Sequence, residues 1–130
     1  RNTDHISTAP LDGECFHVRI TSDGPFLAEI SNAQGECFRF GVDNRNYFFT
    51  DRISAGIHDF DGSYANGLYG ITQTARLFVG KATLDVYFDH CLFELFGDEG
   101  VYVQTTLAFP RVPYQQVSVQ GAELLEVGML

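Results

Sequence analysis

From Cys15 to Thr21, apolar Phe16, Val18 and Ile20 alternate with polar His17 and Arg19, the period-two signature of a strand with one buried face. The same rhythm recurs over Phe26–Ser31, Cys37–Val42 and Leu84–Phe88. Turn-forming clusters separate these runs: Ser22-Asp23-Gly24-Pro25, Asn32-Ala33-Gln34-Gly35 and Asp43-Asn44-Arg45-Asn46. Further strands are predicted over Tyr47–Arg52, Leu68–Thr72, Thr74–Val79, Leu92–Phe96, Gln116–Gln120 and Leu124–Leu130, with a bend near Gln73 and a hairpin turn at Gly80-Lys81. No window keeps a helical period over three turns. At most one helical turn fits, in the Ile53–Gly62 part of an Asp- and Gly-rich loop. About ten short strands, with turn signals about every 8–12 residues, predict an all-β fold: an antiparallel two-sheet β-sandwich of jelly-roll or lectin-like type. Arg1 to Gly13 is polar, with Pro10 and Gly13, and reads as a lead-in or linker; residues 14–130 read as a single domain.

Two runs break the alternation. Tyr47-Phe48-Phe49 and Leu92-Phe93-Glu94-Leu95-Phe96 are apolar on both faces, which predicts cover on both sides and an interaction face. Glu94 sits in the middle of the second run. A buried carboxylate is costly without a partner, so the pattern predicts a cation, a hydrogen-bonded site or a ligand beside it.

Composition narrows the class. The chain has 130 residues, 45% hydrophobic and 14% aromatic, with no Trp, as in a globular domain rather than a disordered one. Net charge is −9, and only eight Lys and Arg are present, scattered singly, which excludes a nucleic-acid binder and an anionic membrane surface. No apolar run approaches the ~18 residues of a membrane-spanning helix. Cys15, Cys37 and Cys91 form no Cys-x-x-Cys pair and the four His are far apart, so neither a zinc site nor any cofactor is expected. The first residue is Arg1, not Met, as in a mature or excised piece.

Three groups could carry chemistry. Asp89, Glu94, Asp98 and Glu99 cluster in sequence, but Asp98 and Glu99 read as ordinary solvated turn residues between Gly97 and Gly100. Asp51-Arg52 ends an aromatic strand; an Arg52–Glu94 pair would satisfy Glu94 or, left open, bind sugar hydroxyls. His58, Asp59, Asp61, Gly62 and Ser63 have the oxygen density of part of a calcium loop without its full pattern.

Asp51-Arg52-Ile53-Ser54-Ala55-Gly56 follows the strand Tyr47-Phe48-Phe49-Thr50. Further on come Leu84 to Asp89, Cys91 to Phe96 with Glu94, Asp98-Glu99-Gly100, Thr105-Thr106 and Phe109-Pro110. In this order, over Cys15 to Leu130, the chain resembles the C-terminal β-sandwich of glycoside hydrolase family 32, the invertases, levanases and inulinases. The turn His90-Cys91-Leu92 departs from the family's usual Arg, Ser and Ser. The resemblance implies an N-terminal five-bladed propeller of the same polypeptide as partner. That propeller carries the catalytic Asp, Asp and Glu motifs, so this chain alone is expected to have no catalytic residue. Related fructan-binding modules imply a second reading, in which Asp51, Arg52 and Glu94 bind fructan or fructose and Tyr47 or Tyr87 stacks on it. A calcium-dependent lectin is the third reading. An exported location, secreted or periplasmic, is favoured over a cytoplasmic one.

Overall fold

A computed structural model describes residues 6–12, 14–56 and 71–129. In chain order the strands are β1 (Ile6–Pro10), β2 (Cys15–Ser22), β3 (Phe26–Ser31), β4 (Cys37–Val42), β5 (Tyr47–Asp51), β6 (Ile71–Ala75), β7 (Ala82–Asp89), β8 (Leu92–Gly97), β9 (Tyr102–Leu107), β10 (Gln116–Gln120) and β11 (Glu123–Met129). They form a six-stranded sheet of order β1-β10-β3-β4-β5-β6 and a five-stranded sheet of order β11-β2-β7-β8-β9, every neighbour antiparallel. No helix occurs among the described residues.

The alternating residues meet between the sheets. Phe16, Val18 and Ile20 of β2, Leu84 and Val86 of β7, and Phe93 and Leu95 of β8 are almost fully buried. Opposite them lie Ala28 and Ile30 of β3, Phe38 and Phe40 of β4, Phe48 of β5, and Val117 and Val119 of β10. Aromatic rings bridge the layers: Phe38 stacks on Phe93 at 4.0 Å and Phe48 on Tyr102 at 4.3 Å between centroids. Such pairs add to area burial through their quadrupoles. The Tyr102 hydroxyl, buried beside β6, makes no hydrogen bond, although Thr72 lies near enough to offset a little of the burial that pushes its pKa up to about 12.

Four expectations are corrected. Ile6–Pro10, read as lead-in, is a strand in register with β10 from Ile6↔Gln120 to Pro10↔Gln116. As an edge strand it buries little, so its pattern is weak. Gln73 is not a bend but lies inside β6, and Arg76 to Lys81 is no hairpin. Because β6 and β7 belong to different sheets, that segment crosses from one layer to the other. The doubly apolar runs do not share a face, since β5 and β8 lie in opposite sheets. Within β8, Phe93 and Leu95 point into the core, while Leu92, Glu94 and Phe96 lie on the outer surface. Glu94 is exposed there and carries no burial cost.

The fourth correction concerns Asp98. It opens the β8–β9 turn, where Asp98, Glu99 and Gly100 all have positive φ (52°, 61° and 92°). Its side chain is only 8% exposed and grips Arg76, itself 1% exposed, through Nε–Oδ2 and Nη2–Oδ1 contacts of 2.9 Å each. The remaining guanidinium hydrogens reach Asn46 Oδ1 (2.9 Å), the Gly80 carbonyl (3.1 Å) and the Lys81 carbonyl (3.1 Å). All five donors of the fork are thus used. The layer crossing is held by one satisfied ion.

Candidate functional site

The stretch Asp51 to Gly56 closes one end of the sandwich. Asp51 Oδ1 accepts the Ile53 N–H at 3.0 Å and shapes the turn. Arg52 Nη1 donates to the Leu107 carbonyl at 2.7 Å, across to the end of β9. The Ser54 carbonyl accepts the Cys37 N–H at 2.7 Å, and the Ala55 carbonyl accepts the hydroxyl of fully buried Tyr114. Gly56 lies against Phe109: a Cβ there would stand 2.1 Å from its carbonyl oxygen. Asn32 and Glu36 extend the same joint. Glu36 accepts from Asn32 Nδ2 (3.0 Å), the Arg111 N–H (2.6 Å) and Arg111 Nη1 (2.6 Å). Burial alone would raise the Glu36 pKa, but the Asn32 and Arg111 bonds outweigh it and hold the carboxyl below the usual range.

The outer surface of the six-stranded sheet carries Glu29, Arg39 and Asp51 in one cross-strand row. Arg39 Nε donates to Glu29 at 2.8 Å, with Asp51 on its other side. Burial, with Glu29 adding, pushes the Cys37 thiol up to about 11. Tyr47 lies on this sheet under the Arg45 guanidinium, 4.6 Å from the ring centroid. A shallow groove of about 420 Å³ also opens here, lined by residues such as Pro25, Leu27, Asp43 and Phe49; no predicted binding residue lines it.

On the five-stranded sheet, Tyr87 and Glu94 are direct cross-strand partners, and Thr105 continues the row. Tyr87 stacks on His17 at 4.3 Å and meets the edge of Phe96 at 5.9 Å. Asp85 accepts from His17 Nε2 and Arg19 Nη1, both at 2.9 Å, which fixes the imidazole under the tyrosine. The result is an aromatic platform with a free-standing carboxylate beside it.

The five predicted binding residues therefore fall into three places. Tyr87 and Glu94 are together on one sheet, Tyr47 and Asp51 share the other, and Arg52 bridges the layers. The ion pairs among the described residues include none between Arg52 and Glu94. The candidate calcium stretch His58 to Ser63 lies outside the described residues. Pattern reading missed one surface altogether. Leu77, Phe78 and Val79, read as a strand end, form an apolar tip on the layer crossing with exposures of 79%, 49% and 89%. Its base is fixed by Arg76 and by the Asn46 Nδ2 bond to the Phe78 carbonyl (2.7 Å). Three large apolar residues in a row before Gly80 were the available signal.

The chain is thus an antiparallel two-sheet β-sandwich with a carboxylate–aromatic face on one sheet and a knitted end. Residues 5–125 match the family described as glycosyl hydrolases family 32 C terminal, and the chain belongs to that family. Solved structures share the fold. They include exo-inulinase from Aspergillus awamori (20% identity, 98% of this chain and 27% of that one, TM-score 0.76) and sucrose-6-phosphate hydrolase from Lactobacillus gasseri (16%, 99% and 29%, 0.73). A galectin from Caenorhabditis elegans is also similar (12%, 99% and 93%, 0.65). The chain thus spans less than a third of the inulinase and hydrolase chains it resembles. No curated protein sequence matches it. No helix among the described residues is long and apolar enough to cross a membrane.

Proposed function

We propose that this sandwich is the non-catalytic C-terminal domain of a fructan- or sucrose-hydrolysing glycosidase and supports an N-terminal five-bladed propeller in the same polypeptide. The observation that carries the reading is the Leu77-Phe78-Val79 tip. Three consecutive large apolar side chains exposed to solvent are costly for a solitary domain and suited to a covered interface. Family membership and the short span relative to the fructosidases support the same partner. Export from the cell belongs to this reading. Phe78→Asp in a chain that includes the upstream residues is expected to weaken docking and lower that chain's melting temperature, while leaving the isolated 130-residue chain unchanged. An upstream gene segment with no glycosidase domain, or sucrose hydrolysis by the isolated chain, overturns the proposal.

A second reading rests on Tyr87 and Glu94. A ring platform beside a carboxylate acceptor suits a fructosyl unit, and Thr105 extends the polar row. Titration calorimetry with levan, inulin and fructose tests it. Binding that survives both Tyr87→Ala and Glu94→Ala removes this site.

A further inference from the structure

Cys15 and His90 are 75 positions apart, and only the fold brings them together. In the β2–β7 ladder Cys15 lies directly opposite Asp89. The next residue, His90, takes φ 56° and donates its N–H to the Glu14 carbonyl at 2.9 Å, fastening the β7–β8 turn to the entry of β2. Three donor atoms converge there. Cys15 Sγ is 3.1 Å from Asp89 Oδ1 and 4.0 Å from His90 Nε2, and the two latter atoms are 3.5 Å apart.

That triangle has the size of one face of a metal tetrahedron. With zinc bonds of about 2.3 Å to sulfur and about 2.0–2.1 Å to nitrogen or oxygen, sulfur stands about 3.5 Å from each lighter donor, and those stand about 3.4 Å apart. The observed sides differ from these by at most about 0.5 Å, within the reach of side-chain rotation. The outer partner is also in place. Glu14 Oε2 lies 3.4 Å from His90 Nδ1, so a carboxylate faces the nitrogen that does not ligate, the arrangement that fixes the tautomer with Nε2 as donor.

We propose that Cys15, Asp89 and His90 bind a single zinc-class divalent ion, with Glu14 orienting His90 and water in the fourth position. One sulfur, one imidazole and one carboxylate favour zinc or cobalt over calcium or magnesium, whose ligands are oxygens. The Asp89 and His90 side chains are 69% and 66% exposed, so the ion enters from solvent without opening the fold. On binding, the Cys15 thiol gives its proton to solvent and the thiolate takes the metal. The ion ties the entry of β2 to the β7–β8 turn, and by mass action it stabilises the folded chain.

Cobalt(II) titrated into the reduced 130-residue chain tests the site. The expected result is one equivalent bound, with a thiolate-to-cobalt charge-transfer band and d–d bands of tetrahedral strength, both abolished by added zinc. Cys15→Ser is expected to remove the charge-transfer band, and His90→Ala to weaken binding at least tenfold, each with an unaltered metal-free melting curve. Cys91→Ser is expected to keep both band and affinity. Absence of the band in the wild-type chain, its persistence in Cys15→Ser, or its loss in Cys91→Ser alone overturns the assignment.

Discussion

Removing the Arg76 guanidinium strands a carboxylate in the protein. Asp98 accepts two of its five hydrogen bonds and is 8% exposed, so Arg76→Ala leaves a buried charge with no counterion. Breaking such a pair from one side costs about 3–5 kcal/mol. The carbonyls of Gly80 and Lys81 lie at the surface and regain water, so their lost bonds add little. A domain of this size is stable by about 5–15 kcal/mol, so the substitution removes a large fraction of the total. A double-mutant cycle separates the pair from the packing of Arg76 over the Phe48 ring, 5.6 Å from its centroid. Met at 76 keeps the apolar stem. Asn at 98 tolerates the left-handed backbone that Asp98 occupies (φ 52°). Arg76→Met is expected to cost about 3–5 kcal/mol, and the double variant less than the sum of the singles by about 2 kcal/mol or more. Urea unfolding followed by the fluorescence of the six tyrosines measures this, since the chain has no Trp. A loss below about 1 kcal/mol in Arg76→Met, with an additive cycle, would mean that the pair is solvated and the argument fails.

Other consequences are independent of that pair. Glu36 is held below the usual carboxyl pKa in the fold, so its contribution is fully present above the unfolded value of about 4.3 and is lost as pH falls through the lower folded value. Glu36→Gln should therefore be less stable by about 1–3 kcal/mol at neutral pH, with the gap closing as the medium becomes more acidic than the unfolded carboxyl value; a gap constant with pH refutes the linkage. Gly56→Ala forces a methyl onto the Phe109 carbonyl and is expected to cost about 1–3 kcal/mol in denaturant unfolding, whereas an unchanged midpoint would show that the two segments are not interlocked. Cys37, buried and with its thiol pushed up to about 11, should resist a thiol reagent at pH 8 until the chain unfolds. Labelling of all three cysteines in the native chain at one rate would contradict its placement.

The strands that bury one face were legible because alternation is a direct image of the pleat. Phe16, Val18 and Ile20 announce their sheet, and the turns around Gly24, Gly35 and Asn46 announce its limits. Reading failed where long-range pairing decides. Ile6–Pro10 gains strand status only from β10, far along the chain. Leu92–Phe96 does not reveal which of its faces meets the other sheet, so Glu94 was read as buried. Asp98 resembles a solvated turn residue because Arg76 is 22 positions away, on a crossing that pattern cannot place. The predicted site is divided for the same reason. The resemblance groups Asp51 and Arg52 with Glu94, but Asp51 on β5 and Glu94 on β8 belong to different layers, and Arg52 donates to the Leu107 carbonyl. Cys15 and His90 carry no spacing signal at all.

The interleaving of early and late strands has a kinetic consequence. β10 lies between β1 and β3, and β11 flanks β2, so neither sheet is complete until residues beyond 115 have arrived. Local hairpins such as β3–β4 and β7–β8 can form first, but β1 has no partner until the last fifth of the chain closes onto it. Such non-local closure slows folding and leaves a strand edge unpaired in the meantime. During synthesis this domain should therefore stay open until β10 and β11 emerge. Loss of even the final two strands should remove the strand that joins β1 to one sheet along with the rim of the other.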